Sequence, residues 1–383
     1  MSQLGVAIVG TGMIGNVHRR AAILAGARVC GVSASSPQRA ADVASAWNVA
    51  RAYRDIEEAL ADPQVQVVHI CTPNHLHRAM AQAALAAGKH VICEKPLATT
   101  LEDAGALAAA AAASGLVATV PFVYRYHPVV REARARIAQG ELGPLRLIHG
   151  SYLQDWLLDP ASNNWRVDPA LGGPSRVFAD IGSHWCDLVE WVAGERFVEV
   201  SAAFETVIAQ RSAVTGESYA RPAAGAMQAV SSEDVAAAMF KTGSGVLASL
   251  TVSQVSAGRR NRLWFEIDGA RASVAFDQED SERLWIGLPD QREEIFVRGP
   301  AAGSAEQRRL SLLPVGHAQG YGHCFEAFVA DTYRAIGAEA PEGLPSFDDG
   351  LRSALIVDRV IASARTRAWT SIGHAVDQER RPA

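Results

Sequence analysis

The sequence predicts an α/β protein with two domains: a doubly wound parallel sheet, then an α/β domain built on a large, mostly antiparallel open sheet. Strand and helix signals alternate over roughly the first 120 residues, a pattern typical of a parallel sheet. From about residue 127 strand signals follow one another largely without long helices, which favours antiparallel pairing. With 383 residues available, we place the domains at 1–125 and 126–383.

The N-terminal domain opens with the apolar strand LGVAIVG and the helix MIGNVHRRAAILAG. The strand ARVCGVSA, the helix PQRAADVASAWN and the short helix DIEEALADP come next. Three more strands are predicted in VQVVHICTP, KHVICEKP and LVATVPFVYR, separated by the helices LHRAMAQAALAAG and TLEDAGALAAAAAASG. In such a sheet ligands bind beyond the carboxyl ends of the strands.

The C-terminal domain opens with one helix, PVVREARARIAQGELG. Its predicted strands are LRLIHGSYLQDW, VEVSAAFETVIAQ, DVAAAMFKTG, GVLASLTVSQV, RLWFEIDGARASVAFD and ERLWIGLP. The helix GSHWCDLVEWVAG is inserted among them, and HCFEAFVADTYRAIG and DDGLRSALIVDRVIASARTR are two late helices. The stretch 211–231, rich in Ala, Gly and Ser, is predicted to be a loop.

Composition excludes several classes of function. The net charge of −5 gives no electrostatic case for nucleic acid or an anionic membrane surface. No apolar run approaches the roughly 20 residues that span a bilayer, and the N-terminus has no basic region of a signal peptide. Five isolated cysteines are expected to be reduced and buried. We therefore expect a cytoplasmic protein without nucleic-acid or membrane partners.

A glycine-rich turn marks a dinucleotide site of the Rossmann type. The motif GxGxxG follows the first strand and opens the first helix, which is the context that the motif requires. Its glycines allow a tight turn, approach to a pyrophosphate and close helix packing, and the helix N-terminus receives the negative charge. The predicted cofactor-binding residues of the turn are Gly10, Thr11, Gly12, Met13, Ile14 and Gly15.

The end of the second strand bears on the choice of cofactor. An acid there binds the ribose 2′-hydroxyl of NAD, but this chain has Ser33, Ala34, Ser35 and Ser36, with Arg39 nearby. Small hydroxyls and an arginine accommodate a 2′-phosphate. The sequence thus predicts NAD or NADP as cofactor and favours NADP.

Two strand ends and one helix carry the candidate catalytic groups. The strand in CEKP ends in Glu94 and Lys95, where a simple ion pair is the alternative to a chemical role. Only three of the 36 basic residues other than histidine are lysines, which suggests that Lys95 is needed as lysine. Asp180 and His184 are four apart, so on a helix they share a face; acid/base chemistry and a helix cap beside a packed histidine are equally compatible with that spacing.

These segments together resemble one family of oxidoreductases. GTGMIG, CTPNHLH, GKHVICEKPLA and DIGSHWCDL, in this order, are similar to the glucose-fructose oxidoreductase / inositol dehydrogenase / MocA family. The segments GSYLQDWLLDP and NNWRVDP resemble those of family members that act on levoglucosan and other pyranosides. The resemblance implies that Lys95, Asp180 and His184 are catalytic. It also implies that the loop with Thr72, Pro73, Asn74 and His77, together with Glu94 and Lys95, lies at the cofactor, and that the chain forms a homo-oligomer, a dimer or tetramer, through its open sheet.

Aromatic and polar side chains of the C-terminal domain suit a sugar, which has apolar faces and many hydroxyls. The candidate substrate-binding residues are Lys95, Asp180 and His184 together with Tyr124, Arg125, Tyr152, Gln154, Trp156, Trp165, Arg166 and Tyr321. His75 and His77 lack a third ligand nearby in sequence, so no metal site is predicted.

The sequence therefore predicts an NAD(P)-dependent oxidoreductase that moves a hydride between a secondary hydroxyl of a pyranose, glycoside or cyclitol and the nicotinamide. Two alternatives stay open. A glycoside hydrolase or lyase that oxidises the sugar transiently would use the same residues, and a sensor that binds dinucleotide or sugar would need no catalytic group.

Overall fold

The computed structural model describes residues 3–214, 216 and 225–373. The chain forms two compact units. Unit 1 contains the described residues up to Val123, with Ala170–Gly173 and Gly322–Ala354; unit 2 contains Tyr124–Pro169, Pro174–Tyr321 and the described residues from Leu355 onward. Two later segments of the chain thus belong to unit 1. The predicted domain boundaries, 1–125 and 126–383, placed both segments in the C-terminal domain.

Nine of the helices agree closely with the predicted positions, whereas two short ones, Pro169–Gly172 and Ala305–Leu310, were not predicted. Those of the described chain are α1 (Met13–Leu24), α2 (Pro37–Ala46), α3 (Ile56–Ala61), α4 (His77–Ala86), α5 (Leu101–Ser114), α6 (Pro128–Ala138), α7 (Pro169–Gly172), α8 (Ser183–Ala193), α9 (Ala305–Leu310), α10 (Tyr321–Ile336) and α11 (Phe347–Thr366). Side-chain oxygens of Ser36, Asp55 and Thr100 accept the backbone N–H three residues on, which caps α2, α3 and α5.

Unit 1 contains a six-stranded parallel sheet, as predicted. Its strands are β1 (Gly5–Val9), β2 (Arg28–Ser33), β3 (Arg51–Tyr53), β4 (Val67–Ile70), β5 (His90–Cys93) and β6 (Ala118–Thr119). Their order, β3-β2-β1-β4-β5-β6, is that of the doubly wound dinucleotide fold. Every residue of β1 and β4 is buried, because helices cover both faces of a parallel sheet.

Unit 2 contains a nine-stranded sheet in the order β16-β15-β14-β13-β7-β12-β11-β8-β17. The strands of unit 2 are β7 (Leu145–Leu153), β8 (Phe197–Glu205), β9 (Gln210–Ser212), β10 (Met227–Ala229), β11 (Val235–Thr242), β12 (Leu247–Ser253), β13 (Arg262–Gly269), β14 (Ser273–Asp277), β15 (Arg283–Gly287), β16 (Glu293–Val297) and β17 (Thr370–Ser371). Within the large sheet only β7 and β12 pair in parallel, which confirms a mostly antiparallel sheet. Burial alternates along β11, so one face of the sheet is covered and the other exposed.

Helix α8 covers the buried face of this sheet. The indole Nε1 of Trp185 donates a hydrogen bond to the backbone oxygen of Trp264 on β13 at 2.9 Å. A Cβ at Gly150 on β7 would lie 2.4 Å from the same Nε1, so only glycine permits this approach. Trp185 therefore fixes the position of its neighbour His184.

Two predicted elements were wrong in detail. The strand predicted in LVATVPFVYR is only two residues long, since Pro121 cannot donate to a strand ladder, and Val123–Tyr126 forms a 3₁₀ turn. The predicted loop 211–231 contains β9 and β10, which pair with each other, while residues 215 and 217–224 lie outside the described part. Arg211 on β9 is fully buried because its guanidinium bonds Asp234 at 2.7 Å.

No helix in the described part of the chain is long and apolar enough to cross a bilayer. All five cysteines are buried and none forms a disulfide, in agreement with the sequence prediction of buried thiols.

Candidate active site

The glycine-rich turn lies where β1 ends and α1 begins. Gly10 has φ +96°, and a Cβ there would lie 2.5 Å from the backbone carbon of Cys71. A Cβ at Gly15 would meet the backbone oxygen of Gly10 at 2.1 Å, whereas one at Gly12 would meet no atom within 4 Å. A side chain at Gly10 or Gly15 would therefore clash with the backbone, whereas the space beside Gly12 is open. Thr11, Met13 and Ile14 complete this turn, and no acid stands in the first turn of α1.

The end of β2 carries hydroxyl groups and no carboxylate. Ser33 is buried at the last position of the strand, and Ser35 and Ser36 are exposed after it. The Ser36 oxygen accepts the backbone N–H of Arg39 at 3.2 Å, which caps α2 and leaves the Arg39 side chain on the exposed first turn. This surface contains the positive group that the sequence analysis assigned to a 2′-phosphate.

The loop after β4 is tied to its surroundings in unit 1. The amide of Asn74 donates to the backbone oxygen of Gly172 at 2.9 Å. His77 is buried, with Nδ1 2.8 Å from the Pro96 oxygen and Nε2 2.9 Å from the Thr72 oxygen. Burial lowers the pKa of His77. Both ring nitrogens of His77 lie within hydrogen-bond distance of backbone oxygens, so His77 joins the loops after β4 and β5.

The strand β5 ends in a fixed carboxylate. Glu94 is buried; its Oε2 accepts the backbone N–H of Lys95 at 3.0 Å, and its Oε1 lies 3.0 Å from Nε2 of His18. Burial acts to raise the pKa of Glu94, but the hydrogen bond with His18 and nearby positive charge outweigh it and leave the pKa lowered. Lys95 itself is half-buried, and the peptide bond to Pro96 is cis.

The other two lysines have contacts of their own. Nζ of Lys89 donates to the backbone oxygens of Asp62 and Val65 at 3.2 and 2.7 Å. Lys241 pairs with Glu199 at 3.5 Å on the exposed face of unit 2. Scarcity of lysine alone is therefore weak support for a chemical role, because Lys89 has a structural one.

In unit 2, Asp180 lies in a short π-helix, Phe178–Gly182, that leads directly into α8 with His184. The sequence predicted one regular helix here; π turns inside helices are frequent at functional sites. One Asp180 oxygen accepts from Nε2 of Gln254 at 2.8 Å, and the other lies 3.4 Å from Nε of Arg166. His184 is 8% exposed, and its ring lies edge-on to Tyr124, 5.0 Å between centroids.

Hydroxyl and amide groups converge beside His184. The hydroxyls of Tyr124 and Tyr152 are 2.5 Å apart, and Tyr152 donates to Oδ1 of Asn261 at 2.7 Å. The amide of Gln154 donates to the same Asn261 oxygen at 2.9 Å. Unit 2 thus holds an oriented polar network next to an imidazole, which is an arrangement suited to a polyhydroxylated ligand.

The aromatic candidates border this network. Trp156 donates to Oε1 of Gln154 at 3.0 Å, and the Arg166 guanidinium lies 4.4 Å from the Trp165 ring. Tyr321 lies 6.0 Å from Tyr124 between ring centroids. These residues are half-buried apart from Gln154 and Tyr124, which are buried.

Arg125 is engaged in an ion pair with Asp187. Its Nε donates to Asp187 at 2.8 Å, a second guanidinium nitrogen bonds the same carboxylate, and it is 4% exposed. These contacts are those of a buried structural ion pair.

Sequence reasoning missed Asn261 and Gln254, which orient Tyr152 and Asp180. Both are isolated amides near strand ends, and no local motif marks them. Their pairing with residues over 70 positions away in sequence arises from the sheet register.

Comparison with known proteins decides the family. Residues 4–122 match the oxidoreductase family with an NAD-binding Rossmann fold, and residues 130–275 match the GFO/IDH/MocA C-terminal domain.

The chain belongs to the Gfo/Idh/MocA oxidoreductase family.

Members named as sugar or cyclitol enzymes are similar over nearly the whole chain. Levoglucosan dehydrogenase of Pseudarthrobacter phenanthrenivorans is 33% identical, covering 97% of this chain and 99% of that protein. The solved levoglucosan dehydrogenase in complex with NADH and L-sorbose has a TM-score of 0.89 at 29% identity, covering 98% of this chain and 100% of that one. An inositol dehydrogenase homolog of Azotobacter vinelandii with NAD⁺ has a TM-score of 0.84 at 29% identity, covering 97% and 98%.

As a family member, the chain is an NAD-binding oxidoreductase with a Rossmann domain. Its own residues fit a dinucleotide: the turn is open at Gly12, and α1 presents its N-terminus there without an acidic residue. The family prediction made from the motifs is confirmed.

Proposed function

We propose that the protein oxidises a ring secondary hydroxyl of a pyranose or anhydro sugar with a nicotinamide dinucleotide, and that levoglucosan is the first substrate to test. The supporting observation is the network of Tyr124, Tyr152, Gln154 and Asn261 beside His184. Similarity to levoglucosan dehydrogenase over 97% of the chain supports the same substrate class.

In the proposed reaction, the imidazole of His184 takes the proton of the substrate hydroxyl while a C=O double bond forms at that carbon. The Lys95 ammonium donates a hydrogen bond to the same oxygen and stabilises the negative charge that develops on it. Asp180 is oriented by Gln254 and Arg166, and its proposed role is to stabilise the positive charge that forms on the imidazole. The nicotinamide, when bound, supplies the acceptor for the hydride. Reduction follows the same steps backwards.

For the cofactor, we propose that NADP is used as well as NAD. An acid at the end of β2 would repel a 2′-phosphate, but this chain has Ala34 at that position. Arg39 lies on the adjoining first turn of α2. The dinucleotide itself is proposed to lie along Gly10–Gly15, the loop of Thr72, Pro73, Asn74 and His77, and Glu94 with Lys95.

We also propose a homo-oligomer formed through the exposed face of the unit 2 sheet with a second copy as partner. Leu147, Met239 and Leu247 are 39%, 52% and 51% exposed and share that face by register. Light scattering after size exclusion should give a multiple of the 40.7 kDa chain mass, and Met239→Glu with Leu247→Glu should lower it. A monomer mass at micromolar concentration would contradict the proposal.

The deciding experiment is a near-ultraviolet absorbance assay with NAD and NADP against levoglucosan, other pyranoses, glycosides and cyclitols, with product analysis of the same samples. Steady growth of reduced nicotinamide is expected. Consumption of a glycoside without net reduced cofactor would instead support the hydrolase or lyase, and binding without turnover would support the sensor.

Replacing Lys95 by Met should abolish turnover while dinucleotide binding is largely kept. Lys89→Met is the control for loss of a lysine in the same unit, since Nζ of Lys89 donates to the backbone oxygens of Asp62 and Val65. Wild-type turnover in Lys95→Met would rule out the catalytic assignment of this lysine.

A further inference from the structure

Beneath the end of β5, four side chains of unit 1 form a continuous chain of short contacts. Glu94 Oε1 lies 3.0 Å from Nε2 of His18 on α1, and Nδ1 of His18 lies 3.0 Å from Nδ1 of His69 on β4. Nε2 of His69 lies 2.8 Å from the hydroxyl of Tyr333 on α10. The chain thus uses both nitrogens of both imidazoles and joins four separate elements.

Water does not reach the middle of this chain. Both imidazoles are 0% exposed, Glu94 is 7% and Tyr333 8% exposed, and Phe325 packs edge-on against His18 at 5.1 Å. Two buried histidines are costly unless each nitrogen finds a complementary partner. No local motif connects the two histidines, because they are 51 residues apart in sequence.

With both imidazoles neutral, which is part of the proposal, elementary hydrogen-bond chemistry gives the chain a direction. An ionised carboxylate only accepts, so Nε2 of His18 must carry the proton facing Glu94. In a neutral imidazole Nδ1 of His18 then accepts, so Nδ1 of His69 must donate. Nε2 of His69 is left as acceptor for the Tyr333 hydroxyl. Every contact is satisfied with one negative charge, on Glu94.

We propose that Tyr333, His69 and His18 form a one-way hydrogen-bond chain that holds Glu94 ionised and oriented, and that Glu94 in turn positions Lys95. The second Glu94 oxygen accepts the backbone N–H of Lys95 at 3.0 Å, so the carboxylate is fixed on both sides. Glu94, His18, His69 and Tyr333 are therefore positioning residues. Their importance for turnover rests on the proposed function, whereas the direction of the chain does not.

The electrostatics of the buried groups agree with the charge states that the proposal gives to Glu94, His69 and Tyr333. Burial lowers the pKa of His69 far below its usual value, so His69 is neutral. The pKa of Glu94 is lowered although burial opposes this, so the carboxylate is charged. Burial raises the pKa of Tyr333, which keeps its hydroxyl a donor.

The first test reads the protons directly. Nitrogen-15 NMR of the full chain labelled at histidine, assigned with the single variants, should show His69 protonated only at Nδ1 and His18 only at Nε2. The experiment needs neither substrate nor turnover, so it is independent of the proposed function. A doubly protonated His18, or His69 protonated at Nε2, would overturn the proposal.

The second test uses two replacements that each keep one end of His18. The amide nitrogen of Gln reaches about the place of Nε2, so His18→Gln keeps the donor to Glu94 and loses the bond to His69. In His18→Asn the amide lies near Nδ1, so the bond to His69 is kept and Glu94 loses its donor. Each variant gives up one buried hydrogen bond, so similar losses of thermal stability are expected.

Turnover then separates positioning from simple packing. His18→Asn should lower kcat at least about tenfold, within the range that small misplacement of a reacting group costs, while His18→Gln stays within about threefold of wild type. The dissociation constants for dinucleotide should change little in both. Equal losses of kcat in the two variants, or the reverse order, would overturn the positioning role. If wild type shows no dehydrogenase activity at all, the proposed function fails and the NMR result still decides the direction of the chain.

Discussion

The hydroxyls of Tyr124 and Tyr152 lie 2.5 Å apart in unit 2, and the amide of Asn261 contacts both of them. The two rings meet edge to face with 5.9 Å between their centroids, and the His184 ring lies 5.0 Å from that of Tyr124. Such a cluster fixes which oxygen donates and which accepts, and so orients any hydroxyl that binds to it.

Tyr152→Phe should therefore weaken recognition of the sugar. The change removes the hydroxyl that donates to Oδ1 of Asn261. Of the two donors to that oxygen named above, the Gln154 amide is left. We expect kcat/KM to fall about tenfold, or about 1.4 kcal/mol. Steady-state kinetics with the best sugar substrate checks this. An unchanged dinucleotide affinity is the control, and an unchanged kcat/KM would remove Tyr152 from the substrate site.

Gln254→Glu should harm catalysis more than Gln254→Met. Both lose the amide that donates to Asp180 at 2.8 Å, but Glu also places a second carboxylate there. Like charges at this distance raise the pKa of one of the pair, so the acid limb of the pH–rate profile should move upward in Gln254→Glu. Profiles of kcat/KM against pH for the two variants test this. Identical profiles would mean that Gln254 does not act on Asp180.

Ala34→Asp should shift the cofactor preference towards NAD. A carboxylate at this position binds the ribose 2′-hydroxyl and repels a 2′-phosphate. The ratio of kcat/KM for NADP to that for NAD should fall at least about tenfold, and Arg39→Ala should lower it in the same direction. Gln38→Ala on the same exposed turn is a matched control. A ratio unaffected by both changes would place the 2′ site elsewhere.

Acid should destabilise unit 2 through His127. The His127 ring stacks on Tyr124 and packs against Phe276. Burial there lowers the pKa of His127 to about 4. Between pH 6.5 and 4 the unfolded chain binds the proton and the folded chain does not, so stability falls as pH falls. The slope is about 1.4 kcal/mol per pH unit.

His127→Phe tests this because it keeps an aromatic ring and cannot titrate. The difference in thermal midpoint between wild type and variant should change in favour of the variant from pH 7 to pH 4.5. A difference that stays constant over that range would show that His127 does not carry the acid sensitivity.

The local pattern of the N-terminal half was predictable because each element there is specified by neighbouring residues. The period of apolar residues and the caps Ser36, Asp55 and Thr100 define helices, and GTGMIG identifies the dinucleotide turn because only glycine fits at Gly10 and Gly15. The strand in LVATVPFVYR was overestimated because one proline outweighs a run of β-forming residues.

The sequence by itself determined the fold class, the family and the three residues proposed for catalysis, because strand–helix alternation and short motifs are written in consecutive positions. Only the tertiary structure decided which side chains orient them. Gln254 contacts Asp180, Asn261 contacts Tyr152, and His18 contacts His69 and Glu94. It likewise assigned Arg125 to an ion pair with Asp187. The physical reason is that sheet register and helix packing bring these partners together, and neither is visible in local spacing.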